Sequence, residues 1–479
     1  MGKTLVIQPV SRIEGHAKVT IQLDDAGNVD DARVNVIELR GFEKFCVGKP
    51  VEEMPRITTR ICGVCPWSHH LASAKATDAV FGVEPPPAGK KLRRLCNSIA
   101  YMEEHILHFY ILSGPDFVMG PDAEYPVRNV IGVVGAVPEV ATRVVKVRHM
   151  CAKMLEMIAG KAIHPAAAVP GGFSRPLQES ERDTLLTMAE ETLELAKFTI
   201  SFAKSDIFPK YLDAVKTLGT ITSGFLGTVT DDGGLDLYEG NLRMMYADGT
   251  FEEFAPEDYA DYIGEHVEDW TYLKFPYAKK RGPFALEDNA PSLYRVNSLA
   301  RINVADYIPT PLAQQELEEF RASFGRPAQL TLLYHWARLI ELLYNAELTV
   351  QLLNDPEITS KDIRATVSPR EARGVGVVEA PRGTLIHDYT TDADGLLTHV
   401  NLVVATCQNN SAINLSVKQA AQTLIKDGQY DQGTLNMVEM AIRAYDPCLS
   451  CATHRMDGRL PVKVDILDKD GNLIETLVN

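Results

Sequence analysis

Two short stretches decide how this sequence is read: Arg60-Ile61-Cys62-Gly63-Val64-Cys65-Pro66-Trp67-Ser68-His69-His70 and Asp446-Pro447-Cys448-Leu449-Ser450-Cys451-Ala452-Thr453-His454. Each holds a Cys-x-x-Cys pair, a spacing that lets both thiolates turn to one side of a tight loop and share one soft metal ion. The pairs lie near opposite ends of the chain, so only the tertiary fold can unite four sulfurs. On spacing alone a structural four-cysteine zinc site leads, with redox dithiols as the competing reading. Context points elsewhere. Zinc knuckles sit in small polar ribbons, whereas the first pair precedes a long segment of helical apolar spacing and the second follows one. The flanking His, Asp and Arg side chains also exceed what a structural ion needs.

Working outward from the pairs, apolar spacing of three and four predicts helices at about 68–81, 89–112, 137–160, 178–217 and 326–353, and again at 414–426 and 432–444. Several are apolar on more than one face, as buried bundle helices are. Residues 4–40 alternate around an Asp25-Ala26-Gly27-Asn28 turn and read as a β-hairpin, 374–386 and 395–404 as strands, and 461–478 as a further hairpin. The predicted fold class is α+β and predominantly helical: a central bundle of long helices with peripheral N-terminal and C-terminal β-sheets. One domain is expected over 1–479, with an N-terminal β region (1–45), a helical core (46–218 and 301–360), an acidic surface insertion (219–300), a C-terminal α/β region (361–454) and a tail (455–479).

Composition narrows the function. The 479 residues carry 48 basic and 64 acidic side chains, a net charge of −16, and the longest basic block is Lys279-Lys280-Arg281. Nucleic acid or an anionic membrane surface is therefore not the expected partner. Residues 231–270 hold thirteen acidic residues and one basic, so most of the net charge is local. No apolar run approaches the roughly 18 residues of a membrane span and no secretory h-region opens the chain, which predicts a cytoplasmic protein without a transmembrane segment. Eight cysteines are too few for a disulfide framework at this length; Cys46, Cys96, Cys151 and Cys407 lie outside the pairs and read as core thiols.

The two cysteine motifs, with Arg12-Ile13-Glu14-Gly15-His16, resemble the signatures of the large subunit of nickel-iron hydrogenases. The likeness continues in family order through Arg40-Gly41-Phe42-Glu43, the stretch 105–116, His164-Pro165 with Pro170-Gly171-Gly172, Ala337-Arg338 with Glu341, and Glu379-Ala380-Pro381-Arg382-Gly383. The resemblance implies that Cys62, Cys65, Cys448 and Cys451 bind nickel, and that Cys65 and Cys451 also bridge to iron. It further implies carbon monoxide and two cyanide ligands on that iron, which no side chain supplies, and hence dedicated maturation proteins. Arg382 matches the arginine that overhangs the open metal position during heterolytic splitting of dihydrogen, and Asp116 and Asp446 match carboxylates that hold it. Glu14 matches the first proton acceptor. Thr406 matches a hydroxyl bonded to a cyanide, His69 a neighbouring histidine, and Ala405 stands where the family commonly has proline. Glu43, the Leu402 carbonyl and His454 match ligands of a second ion, magnesium or iron.

The same resemblance implies a small subunit carrying iron-sulfur clusters, further electron-transfer subunits, and a processing protease that cuts after His454. It would remove residues 455–479, unless that tail is retained and its hairpin pairs with the N-terminal or C-terminal sheet. The segment 405–410 and the insertion at 233–240 resemble the cytoplasmic multimeric group, and within it the methyl-viologen-reducing type, which does not reduce deazaflavin and works in electron-bifurcating or heterodisulfide-reductase-linked complexes. The alternatives are an NAD(P)- or deazaflavin-reducing subunit, and a non-catalytic subunit with a structural zinc.

Overall fold

The computed structural model describes residues 3–36, 38 and 41–453, together with the backbone of strands Lys463–Leu467 and Leu473–Val478. An antiparallel sheet opens the chain, with β1 (Thr4–Ile7), β2 (Ala17–Leu23) and β3 (Val29–Val36) in that order. Ala17, Val19, Ile21 and Leu23 are buried while the residues between them turn outward, so the sequence alternation becomes a one-sided sheet.

The helical part comprises α1 (Pro66–Phe81), α2 (Pro87–Ile106), α3 (Pro138–Ala159), α4 (Glu179–Phe202), α5 (Ser298–Val304), α6 (Pro311–Phe324), α7 (Tyr334–Asn354), α8 (Asn410–Leu424) and α9 (Gln432–Ala444). Pro66 opens α1, where its missing N–H costs nothing, and Gly82 at φ 63° closes it. All of α1 except Lys75 and Ala79 is buried, which places it inside the molecule. Two expected helices are shorter than their apolar spacing suggests. The segment 178–217 leaves α-helical geometry after Phe202 and tightens around Pro209, which has no N–H for the ladder. The segment 326–353 becomes helical only near Thr331; before that, Arg326 donates to the carbonyls of Asn303 and Val304 at the end of α5. Helix α6, opened by Pro311, was not expected from the spacing.

The remaining strands are β4 (Gly224–Val229), β5 (Asn241–Met245), β6 (Phe251–Phe254), β7 (Arg373–Ala380), β8 (Gly383–Thr391) and β9 (Leu397–Val403). Three expectations are corrected here. Residues 374–386 are two antiparallel strands that reverse at Pro381-Arg382, not one. The C-terminal sheet is not peripheral, since β8 is buried over almost its whole length. Nor is 219–300 simply a surface excursion: every residue of β4 is buried, and Leu226, Leu242, Met244 and Phe254 share an apolar cluster with Val377, Ile386 and Val403. Exposed acidic residues lie at the rim of this sheet, as Glu252 and Glu253 do on β6, whereas Asp236 is buried against Arg94.

Glycine fixes the contact that positions the site. A Cβ on Gly376 would lie 2.1 Å from the Ala72 carbonyl oxygen, and one on Gly374 would lie 2.4 Å from that of Ala76. Strand β7 therefore lies directly on the backbone of α1, which joins the helix that starts at Cys65 to the hairpin that ends in Arg382. The tail strands Lys463–Leu467 and Leu473–Val478 pair with each other; the expected pairing with the N-terminal or C-terminal sheet is absent among the described residues.

Candidate metal centre

Cys62 leaves a 3-10 turn (Thr58–Ile61) in extended conformation, and Cys65 sits at the cap position of α1. At the other end of the chain, α9 is followed by Asp446 in the left-handed region (φ 51°), a conformation that Asp tolerates better than most residues. That reversal delivers Cys448 to the start of the short helix Leu449–Ala452. The four sulfurs converge. Cys62 Sγ lies 3.4 Å from Cys448 Sγ, Cys65 Sγ lies 3.1 Å from Cys451 Sγ, and the Cys448 and Cys451 sulfurs are 3.1 Å apart. All four are buried, within 4.8 Å of one another, and unpaired by disulfides.

Such a cluster cannot ionise fully by itself. Hydrogen bonds from Cys448, Cys451 and Cys65 hold Cys62 far below the usual thiol range, while burial pushes Cys448 and Cys451 well above it. One thiolate shared among four close sulfurs suits a soft cation, whose binding would displace the remaining protons.

Over the sulfurs stands Arg382, in a cavity whose other walls include Thr406 and the apolar side chains Leu385, Val404 and Ala405. Its Nη2 is 3.2 Å from Asp446 Oδ1, and its Nη1 donates to Glu104 Oε2. Burial alone would lower its pKa; Asp446 and Glu104 outweigh that and hold the guanidinium well above its ordinary value, so it remains charged. Asp116 is not its partner, which corrects the sequence expectation. That carboxylate sits at the start of a short helix (Gly114–Val118) facing three other arginines: Arg443 (Nε–Oδ2 2.6 Å), Arg12 (2.5 Å) and Arg128 (3.2 Å). Glu104, on α2, takes the expected place, and burial pushes its carboxyl up to about 8. It was missed by sequence reasoning. The available signal was a carboxylate one turn past Ala100 and Tyr101 on the wholly buried side of an apolar helix.

Glu14 reaches the cluster from the N-terminal segment. Its Oε2 lies 3.1 Å from Cys448 Sγ, and its backbone carbonyl accepts from Leu449 N–H at 3.0 Å. Gly15 (φ 78°) permits that approach, since a Cβ there would meet Leu449 Cβ at 2.8 Å. Thr406 Oγ1 accepts the Cys448 N–H at 3.0 Å, which leaves its own proton directed by whatever fills the cavity. His69 lines the same cavity and its Nδ1 is 3.2 Å from His387 Nε2; His387 in turn bonds Tyr389.

The second expected ion site is only partly described. Glu43 is buried and its Oε1 accepts the Leu402 N–H at 2.9 Å, with Lys274 Nζ 3.5 Å away. Burial raises its carboxyl to about 7 despite that lysine. His454 lies outside the described residues.

Comparison with known proteins agrees with this geometry. The nickel-dependent hydrogenase family matches residues 40–124 and 300–454, and a HoxL-like description matches 4–39. The chain is similar to an F420-non-reducing hydrogenase subunit of Methanothermobacter thermautotrophicus, with 45% identity over 99% of both chains. It is also similar to the NAD-reducing hydrogenase HoxS subunit beta of Cupriavidus necator, with 40% identity over 99% of both. Among solved structures, an NAD+-reducing [NiFe]-hydrogenase in the H2-reduced state superposes with a TM-score of 0.89 at 41% identity, covering 94% of this chain and 99% of that one. The Ni-Fe-Se hydrogenase of D. vulgaris Hildenborough gives 0.75 at 26%, covering 95% and 100%.

Proposed function

The chain belongs to the nickel-dependent hydrogenase family, and from that premise we propose how its own residues split dihydrogen. It is the catalytic large subunit of a nickel-iron hydrogenase, interconverting H2 with two protons and two electrons. The observation that carries the assignment to particular residues is the convergence of Cys62, Cys65, Cys448 and Cys451 beneath Arg382. Four buried thiols fit a soft-metal centre: Cys62, Cys65, Cys448 and Cys451 would hold nickel, and Cys65 and Cys451 would also serve iron. The metals supply the centre at which the H–H bond is polarised and the electrons are collected.

The protein does the rest. Arg382 acts as a fixed positive charge rather than as a base, because Asp446 and Glu104 keep it protonated. Glu14 takes the proton through Cys448 and passes it outward from its half-buried position. Carbon monoxide on the iron would lie against the apolar side chains of Leu385, Val404 and Ala405, and the Thr406 hydroxyl in the same cavity would donate to a cyanide. Glu43, the Leu402 carbonyl and His454 would hold magnesium or iron; the buried, incompletely compensated Glu43 carboxylate supports a hard cation there.

Electrons leave through a partner, because the four paired cysteines are the only metal-ligand group among the described residues. We assign that partner as an iron-sulfur small subunit, docking where Val145 and Ile163 stay exposed near the loop of Gly63 and Val64. Identity to the F420-non-reducing relatives supports a multi-subunit hydrogenase of that type; the reading extends, on the family resemblance alone, to a cytoplasmic complex, bifurcating or linked to heterodisulfide reductase, with maturation proteins and a protease that removes residues 455–479. No helix among the described residues is long and apolar enough to cross a membrane. Infrared spectroscopy of the purified complex tests the central assignment. Carbon monoxide and cyanide bands together with stoichiometric nickel are expected, whereas zinc without such bands would overturn it.

A further inference from the structure

The turn that presents Arg382 does not specify its own geometry. Ala380 pairs with Gly383, so Pro381 and Arg382 are the two residues of a hairpin loop. Two-residue loops normally take types I′ or II′, both of which need positive φ at the first position. Proline cannot supply it, Arg382 is not a positive-φ residue, and only Gly383 after the turn has φ 131°. Something outside the hairpin must hold it.

That group is Arg301 on α5, which is fully buried and has all five donors engaged. Nε reaches Glu341 Oε1 at 2.5 Å and Nη2 reaches Oε2 at 2.7 Å. Nη1 donates to Glu379 Oε2 (2.9 Å) and to the Ala380 carbonyl (2.8 Å), and Nη2 also donates to the Pro381 carbonyl (3.0 Å). The two carbonyls belong to the residues immediately before Arg382. Glu379 is pinned in turn by Thr384 Oγ1 (2.8 Å) and by Thr228 N–H (3.0 Å), which closes the clamp across the base of the turn. His105 Nε2, 3.0 Å from Glu341 Oε2, closes it on the α2 side. Buried charges of this kind are poor sources of stability, because desolvation offsets most of the Coulomb gain. What a planar five-donor fork supplies is direction.

We propose that Arg301 is a positioning residue for the hydrogen-splitting site: it sets where the Arg382 guanidinium stands over the sulfurs by holding the Ala380 and Pro381 carbonyls. The proposal rests on the reading of Arg382 given above. Arg301→Lys keeps the charge but cannot span both carboxylates and both carbonyls. In the assembled, metal-loaded complex it should retain nickel and iron yet lose about 100-fold in turnover, the size of effect that a displacement of about 1 Å produces. In an Arg382→Lys background the same change should add little, because the two act through one geometry. A crystal structure of Arg301→Lys should show the 381–382 turn moved and the Arg382–Asp446 contact lengthened, and that readout does not depend on whether the protein splits hydrogen. Should Arg301→Lys fail to accumulate, Thr384→Val, which removes one hydroxyl from the clamp, is judged by the same double-variant and crystallographic criteria with a smaller loss. A turn in its wild-type position, or losses that add fully in the double variant, would overturn the proposal.

Discussion

Glu14 Oε2 lies 3.1 Å from the sulfur of Cys448, a residue 434 positions later in the chain, and the same oxygen accepts the Ser450 N–H at 3.0 Å. The carboxylate is thus anchored to the loop whose cysteine it serves. General acid-base groups contribute about 10²–10⁴-fold, so Glu14→Gln should lower dye-coupled hydrogen oxidation by at least about 100-fold while nickel and iron stay bound. Glu14→Asp should fall between the two. Wild-type turnover in fully metallated Glu14→Gln would remove Glu14 from the proton path.

Glu104 and Asp116 should separate chemistry from stability. Glu104 touches Arg382, so Glu104→Gln should cost turnover, on the order of 10-fold or more, with the melting temperature little changed. Asp116 compensates Arg443, Arg12 and Arg128. Asp116→Asn leaves three guanidinium groups short of a counter-charge and should cost about 3–5 kcal/mol of stability, with turnover of the surviving folded protein near normal. Calorimetry and steady-state rates on the two variants check both halves; the reverse pattern would return Asp116 to the arginine over the cluster.

Much of the centre was legible because its chemistry sits in short motifs. The cysteine pairs, Arg12 to His16 and Glu379 to Gly383 each announce themselves locally, and the structure brings them together. Glu104 was not legible in that way. It is one carboxylate in a 20-residue helix, and only the packing of α2 against the 381–382 turn selects it over Asp116, which lies in an equally suggestive stretch. The buried strand β4 was hidden by the acidic count around it, because a charge tally averages over a sheet whose inner face is apolar and whose rim is not. The break near Pro209 was visible as a proline but was outweighed by the helical period on both sides.

His70 offers a pH test with a definite sign. Burial, reinforced by Arg93, lowers its pKa to about 4, and both ring nitrogens are occupied, by the Pro55 carbonyl at 2.7 Å and by the Ala168 N–H at 2.8 Å. Below its unfolded pKa of about 6.5 the unfolded chain takes up a proton that the native state refuses. Stability from this group is therefore complete above about pH 6.5 and is lost as pH falls toward 4, at about 1.4 kcal/mol per pH unit. His70→Gln keeps a donor and an acceptor but does not titrate. Its unfolding free energy, followed by denaturant titration between pH 6.5 and 4, should fall less steeply than that of the wild type by that amount, and parallel curves would show His70 to be charged in the native state.

The thiol cluster makes a last prediction about metal removal. In the metal-free chain one sulfur, Cys62, is held as thiolate by the others, while Cys65, raised by its hydrogen bond to Cys62, and Cys448 and Cys451, raised by burial, stay protonated beside it. Thiolate, not thiol, binds metal, so loading must expel the protons that remain. Adding Ni2+ to the metal-free protein in weak buffer should release about three protons per site, and apparent affinity should rise steeply with pH. Cys65→Ser should abolish tight binding. Release of one proton or fewer would mean that at least three of the four sulfurs already carry their charge before metal arrives, and would overturn the picture of a single thiolate shared by hydrogen bonds.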